Sequence, residues 1–196
     1  MRATLQKTSL IDYPDRVAAV LFFPHCNMRC PWCHNRQLVL PREIEQETGF
    51  LELDEIFAFL EKRKTVLSGL VITGGEALYR HELGPLVLKA QEMGYKVKLD
   101  TNGMCPESLE KLLLAAPPDF IAFDLKIAPE RYKELGGNGA ALIKSADILR
   151  ASGIDHEYRS LSLPTDYFGK ADIQALAPLA DQSPWYFGPF KTGNCL

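Results

Sequence analysis

The sequence lacks the long apolar runs, the basic runs and the signal pattern that mark several classes of protein. Its longest apolar stretches, such as VAAVLFFP, are far shorter than the roughly 20 residues that a membrane-spanning helix needs. Residues 1–16 show no charged-then-apolar signal pattern, and no run of five basic residues occurs. The 22 basic and 25 acidic residues give a net charge of −3. We therefore expect a cytoplasmic protein without a nucleic-acid or membrane partner.

Cysteine is scarce, and its spacing is uneven. Three of the five cysteines fall within eight positions, at Cys26, Cys30 and Cys33, whereas Cys105 and Cys195 stand apart. In a reducing compartment this spacing indicates metal or redox chemistry rather than disulfides. A chain of this length buries roughly 70% of its unfolded surface, so it needs no disulfide in order to fold.

Short apolar or β-branched runs alternate with segments of helical periodicity about six times, and no linker or low-complexity tract divides them. We predict strands at residues 16–23, 69–73, 96–100, 119–125, 156–163 and 185–187. We predict helices at residues 53–67, 83–93, 106–115, 140–151 and 172–179. The alternation predicts an α/β fold with parallel strands, either as an open doubly wound sheet or as a barrel-like array. We expect residues 1–196 to form a single domain.

Polar or glycine-rich motifs follow four consecutive predicted strands. The cysteines come after the first strand, at the start of a predicted loop over residues 24–52, and the next three strands end in TGGE, DTNG and DLK. Because chemistry in such folds collects at the carboxyl ends of the strands, we expect these motifs to meet at one edge. TGGE taken alone favours a simple tight turn; in a functional site, either the carboxylate of Glu76 or the neighbouring carbonyls would face a cation. Asp124 and Lys126 share a face and could bind a zwitterion, although DLK taken alone favours a solvated ion pair.

Charged residues also occupy the fifth predicted strand. Glu157 and Arg159 alternate onto one face of this strand, which places them inside the array if that face points inward. Buried charges require partners. Either a functional site or an internal salt bridge would satisfy this requirement.

Three clustered cysteines admit two kinds of metal site. A structural zinc ion takes four ligands, so His25 or His34 would have to complete the set, although each is adjacent to a cysteine. A cubane iron–sulfur cluster takes four cysteines in electron transfer, and with three it keeps one open iron for a substrate or cofactor.

The string Cys26-x3-Cys30-x-Trp32-Cys33 resembles the signature of the radical S-adenosylmethionine (SAM) enzymes. The longer LIDYPDRVAAVLFFPHCNMRCPWCHN is similar to the glycyl-radical-enzyme activases, and most of all to the activating proteins of anaerobic ribonucleoside-triphosphate reductase. TGGE, LDTNG, FDLK, HEYRSLSLP and FGPFKTGNC follow in the same order, so the resemblance covers essentially the whole chain. The sequence departs from the activases at Asp15 and His25, where they commonly have glycine.

This resemblance implies a partial (β/α)6 barrel with mostly parallel strands and an active site at the C-terminal ends of the strands. It implies that Cys26, Cys30 and Cys33 ligate a 4Fe–4S cluster whose open iron receives SAM. The implied SAM-binding residues are Trp32, His34, Gly74, Gly75, Glu76, Asp124 and Lys126. Asp100, Thr101 and Asp124 match positions that hold a monovalent cation in a related activase.

The implied activity is reductive cleavage of SAM to methionine and a 5′-deoxyadenosyl radical, which removes a hydrogen atom from a glycine of a partner enzyme. The implied partners are the large subunit of anaerobic ribonucleotide reductase and, as electron donor, flavodoxin or ferredoxin. Cys105 and Cys195 alone cannot supply four ligands for a second cluster, which disfavours enzymes with auxiliary clusters.

Three alternatives stay open at this point. One is an activase of the pyruvate formate-lyase type, which the absence of histidine from the last forty residues disfavours. Another is a small radical SAM enzyme that acts on a metabolite, such as a 7-deazapurine-forming enzyme. The last is a zinc- or cluster-binding regulatory module without catalysis.

Overall fold

The computed structural model describes residues 1–191 and 195–196, and residue 80 by its backbone alone. Within this part of the chain, eight strands form one sheet in the order β3-β1-β2-β4-β5-β6-β7-β8. The strands are β1 (Arg2–Ser9), β2 (Ala18–Phe23), β3 (Phe50–Glu52), β4 (Gly69–Gly74), β5 (Lys96–Thr101), β6 (Phe120–Asp124), β7 (His156–Ser162) and β8 (Trp185–Pro189). Residues 192–194 of the FGPFKTGNC string lie outside the described residues.

Eight α-helices are described, together with one 3-10 helix at Pro129–Leu135. They are α1 (Arg36–Val39), α2 (Pro41–Gln46), α3 (Leu53–Arg63), α4 (Ala77–Arg80), α5 (Gly84–Glu92), α6 (Pro106–Ala115), α7 (Gly139–Ser152) and α8 (Lys170–Ala180). None of these helices combines the length and the apolar character of a membrane span.

Six of the strands run parallel to one another. β2, β4, β5, β6, β7 and β8 pair in parallel in that order, whereas β1 pairs antiparallel with both β2 and β3. The sheet does not close, because β3 and β8 lie at its two described ends. This mostly parallel open sheet confirms the predicted α/β class and its partial (β/α)6 barrel.

The predicted strands and helices all occur, with their ends shifted by a few residues, but the predicted loop over residues 24–52 is partly wrong. It contains α1, α2 and β3. We also did not predict β1, because RATLQKTS carries few large apolar side chains and no clear alternation. Its hydrogen bonds to β2 and β3 are tertiary, so a local pattern does not reveal them.

The two faces of the sheet differ. The main core joins strand residues such as Leu21 and Ile72 to helix residues such as Leu60 and Leu86. A smaller cluster of Tyr13, Ala18, Val20 and Val71 lies on the opposite face. Lys98 is in register with Val71 of the neighbouring strand, so the buried charges of β5 lie on this second face too. The second face therefore carries polar groups toward the carboxyl edge of the sheet.

Candidate functional site

One cavity of about 280 Å³ lies at the carboxyl ends of β2, β4, β5 and β6. Its lining includes every residue for which the sequence predicted a site role: Cys26, Cys30, Trp32, Cys33, His34, Gly74, Gly75, Glu76, Asp100, Thr101, Asp124 and Lys126. The fold thus brings together four motifs that are separated by up to a hundred residues. Their individual roles as ligands remain predictions.

The cysteine loop is held in shape by its own backbone and by Arg29. The Cys33 amide donates to the Cys30 carbonyl at 3.0 Å, and the Met28 amide donates to the Cys26 sulfur at 3.4 Å. The Arg29 guanidinium donates to the carbonyls of Cys26 and Met28, at 2.8 and 2.7 Å. These hydrogen bonds fix the backbone of the loop between Cys26 and Cys33.

The three thiols are soft donors in a partly buried setting. Burial raises the pKa of Cys26 to about 11 and also raises the pKa of Cys30, although the charge of Lys126 acts in the opposite direction on both. A coordinating metal deprotonates a thiol outright, so metal binding would counter this effect of burial at Cys26 and Cys30. Within the described residues, no three His, Cys, Asp or Glu side chains converge on a single-ion site. In an iron–sulfur cluster each cysteine thiolate binds a different iron atom, so the three thiols need not converge on one ion. Three clustered thiols are therefore a donor set that fits such a cluster.

The glycines of TGGE make close backbone contacts with the start of the cysteine loop. Gly74 has a φ of +132°, and a Cβ on Gly75 would lie 2.2 Å from the His25 carbonyl oxygen. The amide of Gly75 donates to the Phe23 carbonyl at 2.9 Å, and the amide of Glu76 donates to the His25 carbonyl at 2.8 Å. Any side chain at Gly75 would push the two loops apart, so glycine is required there by the close approach.

The Glu76 side chain is buried in the wall of the cavity. Its carboxylate accepts hydrogen bonds from the amides of Leu78 and Asn102, at 3.2 and 2.6 Å, and from the Thr101 hydroxyl at 3.0 Å. Burial raises the pKa of Glu76 to about 7 although these bonds favour the ionised form. Both carboxylate oxygens therefore accept hydrogen bonds within the protein, and the way this turn would face a bound cation stays a prediction.

Two departures from the activase pattern have a common backbone feature. Asp15 and His25 stand where the activases commonly have glycine, and their φ angles are +59° and +74°. This left-handed region is open to glycine and unfavourable for most other residues. The preference for glycine at these two positions therefore has a conformational cause, and this chain carries the strain.

A row of alternating charges crosses β5, β6 and β7 beside the cysteines. Lys98 pairs with Asp100 at 2.8 Å, Arg159 pairs with Asp100 at 3.3 Å and with Asp124 at 3.0 Å, and Lys126 pairs with Asp124 at 3.2 Å. Burial raises the pKa of Asp124, but Lys126 and Arg159 outweigh it and hold that pKa below its usual range. Arg159 therefore belongs to an internal salt-bridge network that also lines the cavity.

A second cavity of about 410 Å³ adjoins the first along β7 and β8. The two cavities share Trp32, Asp124, Lys126, Arg159 and Leu161. The Trp32 ring lies between them and contacts the edge of the Tyr167 ring, with 5.6 Å between ring centroids. The combined space runs from the cysteines to the open side of the sheet.

Two residues that line the cavity were not predicted from the sequence. Asn102 donates to the Cys26 sulfur at 3.7 Å, and Asn35 donates to the Gly74 carbonyl at 3.2 Å. Asn102 lies inside DTNG and Asn35 lies two residues after Cys33, so their positions in these motifs could have indicated them. The two remaining cysteines also lie near the site: Asn27 donates to the Cys105 sulfur at 3.3 Å, and the Cys195 sulfur is 4.0 Å from the His34 ring.

Comparison with known proteins agrees with this arrangement. Residues 20–169 match the family model of the radical SAM superfamily. A protein of Methanocaldococcus jannaschii, provisionally named a glycyl-radical enzyme activating enzyme, is 38% identical over 129 residues, which cover 64% of this chain and 50% of that protein. The pyruvate formate-lyase-activating enzyme of Clostridium pasteurianum is 27% identical over 179 residues, which cover 89% of this chain and 73% of that enzyme.

Two further relatives extend the comparison. The 7-carboxy-7-deazaguanine synthase of Hyperthermus butylicus is 42% identical over 82 residues, which cover 41% of this chain and 32% of that enzyme. The structure of Streptococcus suis SuiB bound to S-adenosylmethionine superposes with a TM-score of 0.64 at 16% identity, over 89% of this chain and 42% of SuiB. The likeness to SuiB concerns the fold alone.

The chain spans half the length of the Methanocaldococcus protein and about a third of the Hyperthermus enzyme. The matched family region nevertheless covers most of this chain, and it contains the three cysteines, TGGE, DTNG and DLK. Together with the partial barrel and the cavity at its carboxyl edge, this match shows that the chain belongs to the radical SAM superfamily.

Proposed function

We propose that this chain is a glycyl-radical-enzyme activase, and that its partner is the large subunit of anaerobic ribonucleotide reductase. The observation that carries the proposal is the single cavity in which three cysteines, the TGGE turn and the Asp124–Lys126 pair meet. The similarity to proteins named for glycyl-radical-enzyme activation supports the choice of an activase within the superfamily. The similarity of the longer cysteine string to reductase activators supports the choice of partner.

Each group of residues has a definite task in this proposal. Cys26, Cys30 and Cys33 would hold the 4Fe–4S cluster, and the carbonyls of the TGGE turn would bind the ammonium group of SAM. Lys126 would bind the SAM carboxylate, since the Lys126–Asp124 pair fixes the orientation of its ammonium group. When bound, the cluster and SAM would supply a one-electron cleavage that yields a radical able to take hydrogen from a glycine Cα.

The open side of the sheet would admit the partner. The second cavity leads from Trp32 to β8, the last strand of the described sheet, where Tyr186 and Phe187 are exposed. A loop of a large protein could reach the first cavity by this path. Trp32, Leu161 and Leu163 would then exclude water around the reacting atoms by lining the path with apolar surface.

The test is anaerobic reconstitution with iron and sulfide, followed by dithionite and SAM. We expect 5′-deoxyadenosine from the reconstituted protein, and loss of cluster absorption in Cys26→Ala, Cys30→Ala and Cys33→Ala. Cys105→Ala is the matched control, because Cys105 lies beside the site but outside the cysteine motif. Failure of the reconstituted protein to form 5′-deoxyadenosine would refute the enzyme proposal.

The choice of partner is tested by electron spin resonance. We expect a glycyl-radical signal when the reductase large subunit is added to the active mixture, and a much weaker signal with pyruvate formate-lyase. A stronger signal with pyruvate formate-lyase would reassign the partner. The electron donor is tested separately, by replacing dithionite with reduced flavodoxin or with reduced ferredoxin.

A second candidate function is conversion of a metabolite by a small radical SAM enzyme. The 42% identity to a 7-carboxy-7-deazaguanine synthase favours it, although that match covers only 41% of the chain. Incubation of the reconstituted protein with 7-deazapurine precursors distinguishes the two candidates. Turnover of such a precursor, with no glycyl radical on either partner enzyme, would support the metabolite enzyme.

A further inference from the structure

The carboxylates of Asp100 and Asp124 are joined by one guanidinium group. Arg159 donates from Nη1 to Asp100 Oδ2 at 3.3 Å, and from Nε and Nη2 to Asp124 Oδ1 at 3.1 and 3.0 Å. Arg159 is in register with Asp124 on the neighbouring parallel strand, so the sheet itself sets this position. The positive charge lies between two acidic side chains that resemble the ligands of a monovalent cation.

The remaining oxygens of both carboxylates also have cationic partners. Lys98 Nζ lies 2.8 Å from Asp100 Oδ1, and Lys126 Nζ lies 3.2 Å from Asp124 Oδ2. All four carboxylate oxygens are therefore paired with a lysine or an arginine. Three positive side chains contact these two carboxylates, and Glu157 on the same strand as Arg159 adds a further negative charge near it.

The Thr101 hydroxyl is engaged elsewhere. It donates to Glu76 Oε1 at 3.0 Å and accepts from the Gly103 amide at 3.2 Å. In a strand, adjacent residues point to opposite faces, so the side chains of Asp100 and Thr101 diverge. The three side chains expected to hold a monovalent cation therefore do not form a common ligand set.

A sodium or potassium ion does not fit this arrangement. It would need oxygen ligands that already accept bonds from Arg159, Lys98 and Lys126, and it would lie directly beside the positive charges of these three side chains. Arginine stays protonated in proteins, so the guanidinium cannot give up its charge to make room.

We propose that Arg159 takes the place of the monovalent cation in this chain, so that SAM binding requires neither sodium nor potassium. The proposal rests on the proposed function insofar as SAM is the ligand of the cavity. It assigns Arg159 as a positioning residue that holds Asp100 and Asp124 in place, and through Asp124 also Lys126. Removing its side chain should open a site for a small cation between the two carboxylates.

The first experiment measures binding of labelled SAM to the reconstituted protein in chloride salts of sodium, potassium and tetramethylammonium at equal ionic strength. We expect the dissociation constant of the wild-type protein to agree within about twofold among the three salts. In Arg159→Ala we expect binding to be at least about tenfold weaker in tetramethylammonium than in sodium or potassium. Arg150→Ala is the matched control, because that arginine pairs with Asp147 on α7, away from the cavity.

Each outcome of this experiment decides something. A wild-type protein that needs sodium or potassium overturns the proposal, and so does an Arg159→Ala variant that remains indifferent to the salt. If no SAM binds in any salt, the proposed function fails instead. Arg159→Gln, which removes the charge and keeps polar contacts, replaces the alanine variant if that variant does not fold.

A second experiment needs neither the cluster nor SAM. Line broadening in sodium NMR reports sodium bound to the apoprotein. We expect neither the wild-type protein nor the control Arg150→Ala to show sodium broadening that potassium displaces. We expect Arg159→Ala to show such broadening clearly. Specific sodium binding by the wild-type protein, displaced by potassium, would overturn the proposal whatever the outcome with SAM.

Discussion

At the scale of single residues, Glu76 places a carboxylate where water does not reach. Only 2% of its surface is exposed, and its hydrogen bonds come from the chain segments that follow β4 and β5. These contacts tie the TGGE turn to the DTNG turn, so the residue supports the site from behind. Ionisation of this buried group is unfavourable, and its pKa is raised from 4.5 to about 7.

This pKa predicts a pH-dependent stability. The folded state binds the Glu76 proton more tightly than the unfolded state, so the contribution is fully present below about pH 4.5 and is lost as the pH rises through about 7. We expect the free energy of unfolding to fall by about 3 kcal/mol more in the wild-type protein than in Glu76→Ala between these pH values. Urea unfolding of both proteins at several pH values measures this difference.

The comparison between the two proteins cancels the other titrating groups, which they share. Parallel pH profiles for the wild-type protein and Glu76→Ala would contradict the prediction. Glu76→Gln serves in the same way if the alanine variant is too unstable to fold.

Asp15 is a second residue whose local conformation lowers the stability of the folded state. Its φ of +59° lies in the left-handed region, and its side chain is exposed. Residues with a Cβ are less stable than glycine in this conformation, and β-branched residues are the least suited to it. The strain therefore depends on the backbone and not on packing.

This strain predicts an order of stability. We expect Asp15→Gly to be at least as stable as the wild-type protein and Asp15→Val to lose about 1–2 kcal/mol of unfolding free energy. Asp166→Val is the control, since Asp166 is exposed in a turn but has no positive φ. Equal losses for the valine variants at both positions, measured by urea unfolding, would refute the backbone explanation.

At the scale of elements, the start of the cysteine loop packs against the carboxyl end of β4. Gly75 approaches the His25 carbonyl so closely that no side chain fits between them, and the amide of Glu76 binds that same carbonyl. The register of β2 and β4 brings the two chain segments together, because Phe23 pairs with Gly74. The geometry of the cysteines thus depends on an element that follows them by about forty residues.

This contact predicts a selective defect. We expect Gly75→Ala to remain folded but to lose most of its ability to hold the cluster, because a Cβ would lie 2.2 Å from the His25 oxygen. Iron and sulfide content with the absorption spectrum after reconstitution gives the measurement. Gly84→Ala is the matched control, since a Cβ there meets only Ala116 at 3.8 Å. A normal cluster content in Gly75→Ala would contradict the role of this contact.

The elements also differ in how well the sequence predicts them. α6 begins at Pro106 and ends at Ala115, as predicted, because proline and glutamate in its first turn mark its start locally. The strands of the parallel sheet are continuous apolar runs, which the sequence also shows. β1 and β3 depend on antiparallel pairing at the edge of the sheet. β1 is mostly polar and β3 has only three residues, so neither gives a local signal for that pairing.

At the scale of the whole molecule, one large hydrophobic core consists of strand and helix side chains. The main hydrophobic cluster joins both ends of the chain, from Ala3 to Ala180, through buried strand and helix residues. Cys30 belongs to its margin, with 7% of its surface exposed. The proposed cluster site thus lies at the margin of a large hydrophobic core, whereas a zinc finger has a small core that forms only on binding metal. We infer that this core can form independently of the cluster.

This independence predicts a folded apoprotein. We expect the triple variant Cys26→Ser, Cys30→Ser, Cys33→Ser to keep the far-UV circular dichroism of the wild-type apoprotein and to lose no more than about 2 kcal/mol of unfolding free energy. Thermal and urea unfolding under anaerobic conditions provide the measurement, with the wild-type apoprotein as the control. A disordered triple variant or apoprotein would show that metal binding drives folding.

The sequence by itself determined the alternation of strands and helices, the residues at the strand ends and the family. Each of these features can be recognised within a short stretch of sequence. Apolar periodicity reflects burial, and the three cysteines lie within one continuous segment. Only the tertiary structure decided that Glu76 faces inward and that Arg159 bridges Asp100 and Asp124. These facts depend on which strands are neighbours and in what register, and strand pairing is a long-range property that short patterns do not encode.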